Sequence, residues 1–173
     1  MKSYTIIAGA DDVGKRVYLN LMQAKPNSLG LVFCDLTSVY LVAKNPVQCM
    51  EKGYNFTVET TLLSNEAVLL AKMAKDRGYC VNLHFIGIDK KYGLCENPNE
   101  NCEKQQVFFK EAENLKQLLP LCDNAVFVDN DSDFLYLAKY STDGFTKISK
   151  ETPRWLDYIC KTVPLIGTAE INI

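Results

Sequence analysis

Arginine is the scarcest common residue in this chain. Only Arg16, Arg77 and Arg154 occur in 173 residues. Phosphate chemistry usually recruits arginine as a bidentate clamp, so this shortage bears on any phosphate-handling role. Histidine is scarcer still, with His84 alone. Seven cysteines are scattered singly and none forms a C-x-x-C pair. Cys95 and Cys102 therefore find neither histidines nor near thiols to complete a zinc site, and the cysteines read as small apolar residues. No run approaches the roughly 18 apolar residues of a membrane helix. Nineteen basic residues against 21 acidic leave a net charge of −2. That balance argues against nucleic acid and against anionic membranes as partners. Repeats, linkers and low-complexity tracts are lacking as well.

What is present is an ordinary globular composition, 47% apolar and 23% charged. It suits a single domain over residues 1–173 with a sizeable core, and excludes a disordered polyelectrolyte or a disulfide-stapled scaffold. The segment from Met1 to Ala10 faintly resembles a secretion signal. Its apolar part is too short and Asp11-Asp12 follows at once, so it reads as a first strand and the expected compartment is the cytoplasm.

Strand and helix patterns alternate along the chain. Strands are expected at Tyr4 to Ala8, Leu29 to Cys34, Asn55 to Glu59, Tyr79 to Ile88 and Ala125 to Val128. A helix follows from Lys15 to about Ala24, with Val17, Leu21 and Ala24 on its apolar face. Asp35 to Ala43 suits a helix, and Asn45-Pro46 opens another that Gly53 ends. Ala67, Leu70, Ala71 and Ala74 line a helix stopped by Gly78. Phe108, Ala112, Leu115 and Leu119 line a long one that ends before Pro120. Asn97 to Asn101 is a polar loop. Leu135 to Tyr140 and Phe145 to Ile148 form a hairpin, and Pro153 to Lys161 a last helix that buries Trp155. The tail from Thr162 has no clear pattern.

This alternation implies an α/β sandwich with a mainly parallel central sheet. Ligands in such sheets sit beyond the carboxyl ends of the strands. The rule nominates Gly9 to Lys15, Asp35, Glu59-Thr60, Asp89 and Asp129-Asn130.

The first of these is the strongest signal. Gly9-Ala10-Asp11-Asp12-Val13-Gly14-Lys15-Arg16 fits G-x-x-x-x-G-K, between a strand and a helix. In that motif glycines let backbone N–H groups curl around phosphate oxygens, the lysine reaches the terminal phosphates, and the helix presents its positive end. A Ser or Thr normally follows the lysine and holds magnesium. Arg16 stands there instead, and Asp11 and Asp12 bring negative charge into the loop. A direct Arg16–phosphate contact without metal is one reading of that change.

Two further stretches carry a resemblance. They are Gly53-Tyr54-Asn55-Phe56-Thr57-Val58-Glu59-Thr60-Thr61-Leu62 and Gly78-Tyr79-Cys80-Val81-Asn82-Leu83. With the glycine-lysine loop, Asp35, Leu118-Leu119-Pro120, Val128-Asp129-Asn130 and Trp155-Leu156, they resemble the zeta toxin family, including its small chromosomal members described as kinases or ATPases. The resemblance implies a P-loop kinase fold. It also implies transfer of the ATP terminal phosphate to a small acceptor, in the best-known members the sugar hydroxyl of UDP-N-acetylglucosamine. On that basis Lys15 neutralises the phosphates and Asp35 takes the acceptor proton. Glu59 and Thr60 hold the acceptor, and Asp129-Asn130 lie nearer the nucleotide. An antitoxin-type protein is the implied partner. The chain departs from the family at Arg16 and in the lid, where Lys90 to Pro98 replaces a segment with several arginines. Such arginines often contribute roughly a thousandfold or more in rate, and lysines replace their charge but not their fork.

Blander roles compete at several positions. Asp35 is as well placed to cap a helix as to act as a base. Glu59 at an apolar strand end needs a partner, and Lys15 is the candidate. His84 reads as structural. Asp129-Asn130-Asp131 with Asp133 reads as a turn rather than a calcium loop. Two functions follow: a kinase of the zeta toxin type using ATP, with magnesium in question, or an inactive nucleotide- or partner-binding module on the same fold. A polynucleotide end-processing kinase is opposed by the acidic charge balance.

Overall fold

The computed structural model describes residues 1–23, 32–35, 45–94, 102–150, 152–162 and 168–169. Residues 23, 32–35, 102 and 168–169 are described in backbone only. The expected helix from Asp35 to Ala43, the loop from Asn97 to Asn101, Ala24 and most of the tail lie outside them.

Eight strands form one sheet among the described residues: β1 Ser3–Ala8, β2 Val32–Asp35, β3 Phe56–Thr60, β4 Cys80–Gly87, β5 Asn124–Asp129, β6 Leu135–Ser141, β7 Gly144–Lys147 and β8 Thr168–Ala169. Their spatial order is β2-β3-β1-β4-β5-β6-β7-β8. The first five run parallel. β6 and β7 are the expected antiparallel hairpin, and β8, which no sequence pattern announced, pairs parallel to β7. The expected α/β fold with a mainly parallel sheet is therefore present. Consecutive strands leave β1 on one side and return across it to β4, so a crevice opens above the carboxyl end of β1.

Five helices are described: α1 Lys15–Gln23, α2 Pro46–Glu51, α3 Glu66–Asp76, α4 Cys102–Leu118 and α5 Arg154–Thr162. Asn45 caps α2 as its sequence suggests, accepting the Val47 N–H at 2.9 Å with Pro46 in the first turn. Pro120 ends α4 in a single 3-10 turn, Leu119–Leu121.

The sheet's two faces differ in chemistry. Strand alternation and register put Tyr4, Phe56, Leu83, Phe85 and Phe127 on one face. This face packs under α3, α4 and α5. Phe85 lies between Trp155 of α5 and Phe127, with ring centroids at 5.5 and 6.3 Å. Gly87 leaves room for the Trp155 indole, which a Cβ there would meet at 2.4 Å. The opposite face carries Thr57, Glu59, His84 and Val126, and α1 lies on it.

α1 corrects one expectation. Val17 and Leu21 are 56% and 54% exposed, while Tyr18 and Leu19 are buried. Both stripes satisfy helical spacing. Lys15 decides between them, because its buried side chain opens the helix. The residues three, four and seven positions later, Tyr18, Leu19 and Met22, share its side and pack on the core. No described helix is long and apolar enough to cross a membrane.

Candidate functional site

The loop from Gly9 to Gly14 joins β1 to α1 at the crevice. Its backbone is held in conformations that favour glycine: φ is +140° at Gly9 and +85° at Gly14, and Asp12 reaches +60°. A Cβ on Gly9 would stand 2.2 Å from the Ile86 carbonyl oxygen, so the chain leaves β1 pressed against β4. Asn130, expected near the nucleotide, braces the loop. Its Nδ2 donates to the Val13 carbonyl at 3.0 Å, and its N–H donates to Gly87 at 3.1 Å. Val13 is fully buried, and the Ala10 N–H donates to the Tyr92 hydroxyl at 3.4 Å.

Lys15 is 5% exposed. Its Nζ donates to the carbonyls of Gly9 at 2.8 Å and Ala10 at 2.7 Å. Burial lowers its pKa from the ordinary lysine value, against the fields of Glu59, Asp11, Glu111 and Asp12. The ammonium thus sits among carboxylates while bonded to its own loop.

Lys15 is not the ion-pair partner of Glu59. Arg16 is, with Nε 3.2 Å from Oε2 of a side chain only 14% exposed. The reason is direction: Lys15 turns back over the loop, and Arg16 reaches across to the end of β3. Arg16, read from the sequence as a direct phosphate contact, thus has Glu59 beside it, and its side chain is half-exposed. Asp35 and Glu59 are register partners on adjacent strands, hence on one face at one height. The Asp35 side chain is outside the described residues, so neither its base nor its cap role is addressed. Thr60 is engaged locally, its Oγ1 accepting the Leu62 N–H at 3.0 Å. Leu62 has φ +58°, and its carbonyl accepts from Asn114 Nδ2 at 2.6 Å.

One residue of this site was missed entirely. Glu111 of α4 is 0% exposed, and neither carboxyl oxygen completes a hydrogen bond. Burial raises its pKa to about 8, although Tyr92 and Lys15 act to lower it, and Asp11 adds to the rise. The available signal was spacing. Phe108, Glu111, Ala112 and Leu115 fall at i, i+3, i+4, i+7, which puts a carboxyl in an apolar stripe.

Beyond β4 and β5 the nominated carboxylates hold backbone and side-chain N–H groups. Asp89 is a remote cap for α5, its oxygens accepting the N–H groups of Arg154 at 3.1 Å and Trp155 at 3.0 Å. Asp129 accepts the Trp155 indole N–H at 3.0 Å, and its other oxygen turns the chain through the Asp131 N–H. These residues, with Lys90, Leu94 and Arg154, line an open cleft of about 330 Å³ beside the loop. Lys90 and Lys91 pair with Asp131 and Asp12 at 3.5 and 3.6 Å. His84 Nδ1 is 2.9 Å from the Tyr18 hydroxyl, which also meets the Tyr136 hydroxyl at 2.9 Å.

The hydroxyl that would hold magnesium after the loop lysine is replaced. A guanidinium paired to Glu59 stands there, and no cluster of His, Cys, Asp and Glu able to hold an ion occurs among the described residues.

No protein-family model matches the chain, and no curated protein matches it in sequence. Among solved structures, it is similar to a chain of the PezAT chromosomal toxin–antitoxin system of Streptococcus pneumoniae, with a TM-score of 0.56 and 15% identity over 94% of this chain and 78% of the other. It also aligns with the genome packaging NTPase B204 of Sulfolobus turreted icosahedral virus 2, in complex with ATP-gammaS. That alignment covers 73% of this chain and 74% of the other at 10% identity, and its TM-score of 0.26 is too low to bear on the fold. The PezAT likeness is one of fold, in line with the zeta-toxin-like fold that the sequence resemblance implies.

Proposed function

We propose that the protein binds the phosphates of ATP in the loop from Gly9 to Arg16 and transfers the terminal phosphate to a small hydroxyl-bearing acceptor held between Asp35 and Glu59. The observation that carries this reading is Lys15. A nearly buried ammonium, bonded to the loop's own carbonyls, stands where a strand, a glycine turn and a helix start converge. Anionic oxygens are better acceptors for it than neutral carbonyls. In the transfer, the acceptor oxygen bonds to the terminal phosphorus and the bond to the leaving diphosphate oxygen breaks. The acceptor proton passes to the Asp35 carboxylate. A nucleotide sugar is the acceptor class that the zeta toxin resemblance supports, and an antitoxin-type protein the partner.

A second reading, a nucleotide-binding module without turnover, is favoured by the Arg16–Glu59 ion pair, which occupies the acceptor side. Calorimetry with ATP, with and without magnesium, tests both on the wild type and Lys15→Ala. Binding lost in Lys15→Ala supports the loop as the phosphate site, and equal binding by both proteins overturns it. Product formation from a nucleotide-sugar acceptor that disappears in Asp35→Asn then separates the kinase from the inactive module.

A further inference from the structure

We propose that Glu111 is a positioning residue of the phosphate loop, supporting Lys15 beneath the anion only while it carries its own proton, so that anion binding is coupled to protonation of Glu111. The inference rests on the loop being the phosphate site. Its basis is geometric. α4 carries a fully enclosed carboxyl, neither oxygen of which completes a hydrogen bond. The Tyr92 hydroxyl beside it is the group that accepts the Ala10 N–H, and Lys15 is within its electrostatic reach. A buried carboxyl without partners is costly as an anion and tolerable as a neutral acid.

Among the described residues, few charged and titratable groups act on this centre. They are Tyr92 from the segment before α4, Lys15 and Asp11 from the loop, and, through Lys15, Glu59 of β3 and Asp12. Burial places the Glu111 transition near pH 8. Burial also holds Tyr92 well above the ordinary phenol range, so it stays neutral there. Below that transition Lys15 faces a neutral acid and is free to serve a phosphate. Above it, an ionised Glu111 competes for the ammonium and repels the incoming anion through a medium of low dielectric. Binding then requires one proton from solvent to be added to the Glu111 carboxylate, and no other bond changes.

The test is ATP affinity without added metal, followed from about pH 6.5 to about pH 9.5 for wild type, Glu111→Gln and Lys15→Arg. Above the transition, the wild-type affinity is expected to fall about tenfold per pH unit. Glu111→Gln, which has no proton to lose, should show no such slope, whatever its affinity at the acid end. Lys15→Arg, which removes the lysine titration, should keep it. A slope that persists in Glu111→Gln, or vanishes in Lys15→Arg, overturns the proposal. Should either variant fail to fold, the infrared carbonyl band of a protonated carboxylic acid decides on the wild type. Such a band at neutral pH that fades as pH rises past the transition is expected. Its absence at neutral pH overturns the proposal. Wild-type binding with no pH slope defeats this inference alone, whereas no ATP binding at any pH defeats the phosphate-site reading and this inference with it.

Discussion

The two edges of the sheet treat polar groups in opposite ways. At the amino edge the polar groups around Asp123 and Tyr79 are matched. Asp123 accepts Lys75 Nζ at 2.6 Å and the Val81 N–H at 2.8 Å, while its own N–H donates to Val81. Burial works to raise the Asp123 pKa, but these two donors win and hold it below the ordinary carboxylate value. The Ser3 N–H meets Asn55, and the Tyr79 hydroxyl meets the Tyr54 carbonyl. At the carboxyl edge, Glu111 has no hydrogen bond, Glu59 Oε2 has an ion pair without hydrogen-bond geometry, and Lys15 spends its donors on its own loop. Positive φ at Asp12 and Leu62 adds strain there. Both edges belong to one sheet and share one core. The contrast shows that the unsatisfied carboxyl oxygens among the described residues, those of Glu59 and Glu111, are on the side of Lys15, where the strand order opens a crevice.

Five changes break or sharpen this contrast, in decreasing order of effect. Glu111→Leu removes the unpaired carboxyl. The folded state holds a proton on Glu111 up to about pH 8, against 4.5 for the ordinary group. Wild-type stability should therefore fall as pH rises between these values, by roughly 3–5 kcal/mol in total, and that fall should vanish in the variant when denaturant midpoints are compared across pH. Gly9→Ala drives a Cβ into the Ile86 carbonyl and should cost about 3 kcal/mol or more. Asp123→Ala leaves the Val81 N–H without its acceptor and should cost about 1–3 kcal/mol in urea unfolding. Gly78→Ala at the amino edge has φ +72° but open space, so thermal unfolding should show a loss of only about 1 kcal/mol. Lys75→Met, which removes only a half-exposed ion pair, should cost less than about 1 kcal/mol.

Much of this was legible in the sequence, and the failures have physical causes. Strand and helix alternation, the Gly9–Arg16 loop, the Asn45 cap and the burial of Trp155 all depend on local pattern, which a sequence displays. The buried face of α1 was not legible, because two stripes had equal periodicity and only the inward turn of Lys15 chose between them. The capping role of Asp89 was not legible, because the amide groups that open α5 lie 65 and 66 positions away. Glu111 escaped notice because a glutamate on a helix is ordinarily solvated, and only the packing of Tyr92 over α4 encloses it. The two-residue β8 pairing is a tertiary event with no periodicity to announce it. The partner of Glu59 was misjudged between two adjacent cations, a choice set by side-chain direction alone.

Trp155 has a practical consequence. It is the chain's one tryptophan, fully enclosed against Gly87 and Phe85, with its indole N–H on Asp129 at the rim of the candidate site. Tryptophan emission from the native protein therefore comes from a single fluorophore held against the end of β4. A ligand that shifts Asp129 changes the colour or yield of that light, and unfolding red-shifts it as the indole meets water. The protein thus carries an intrinsic optical reporter, and both the titrations and the denaturation series can be followed without attaching a dye.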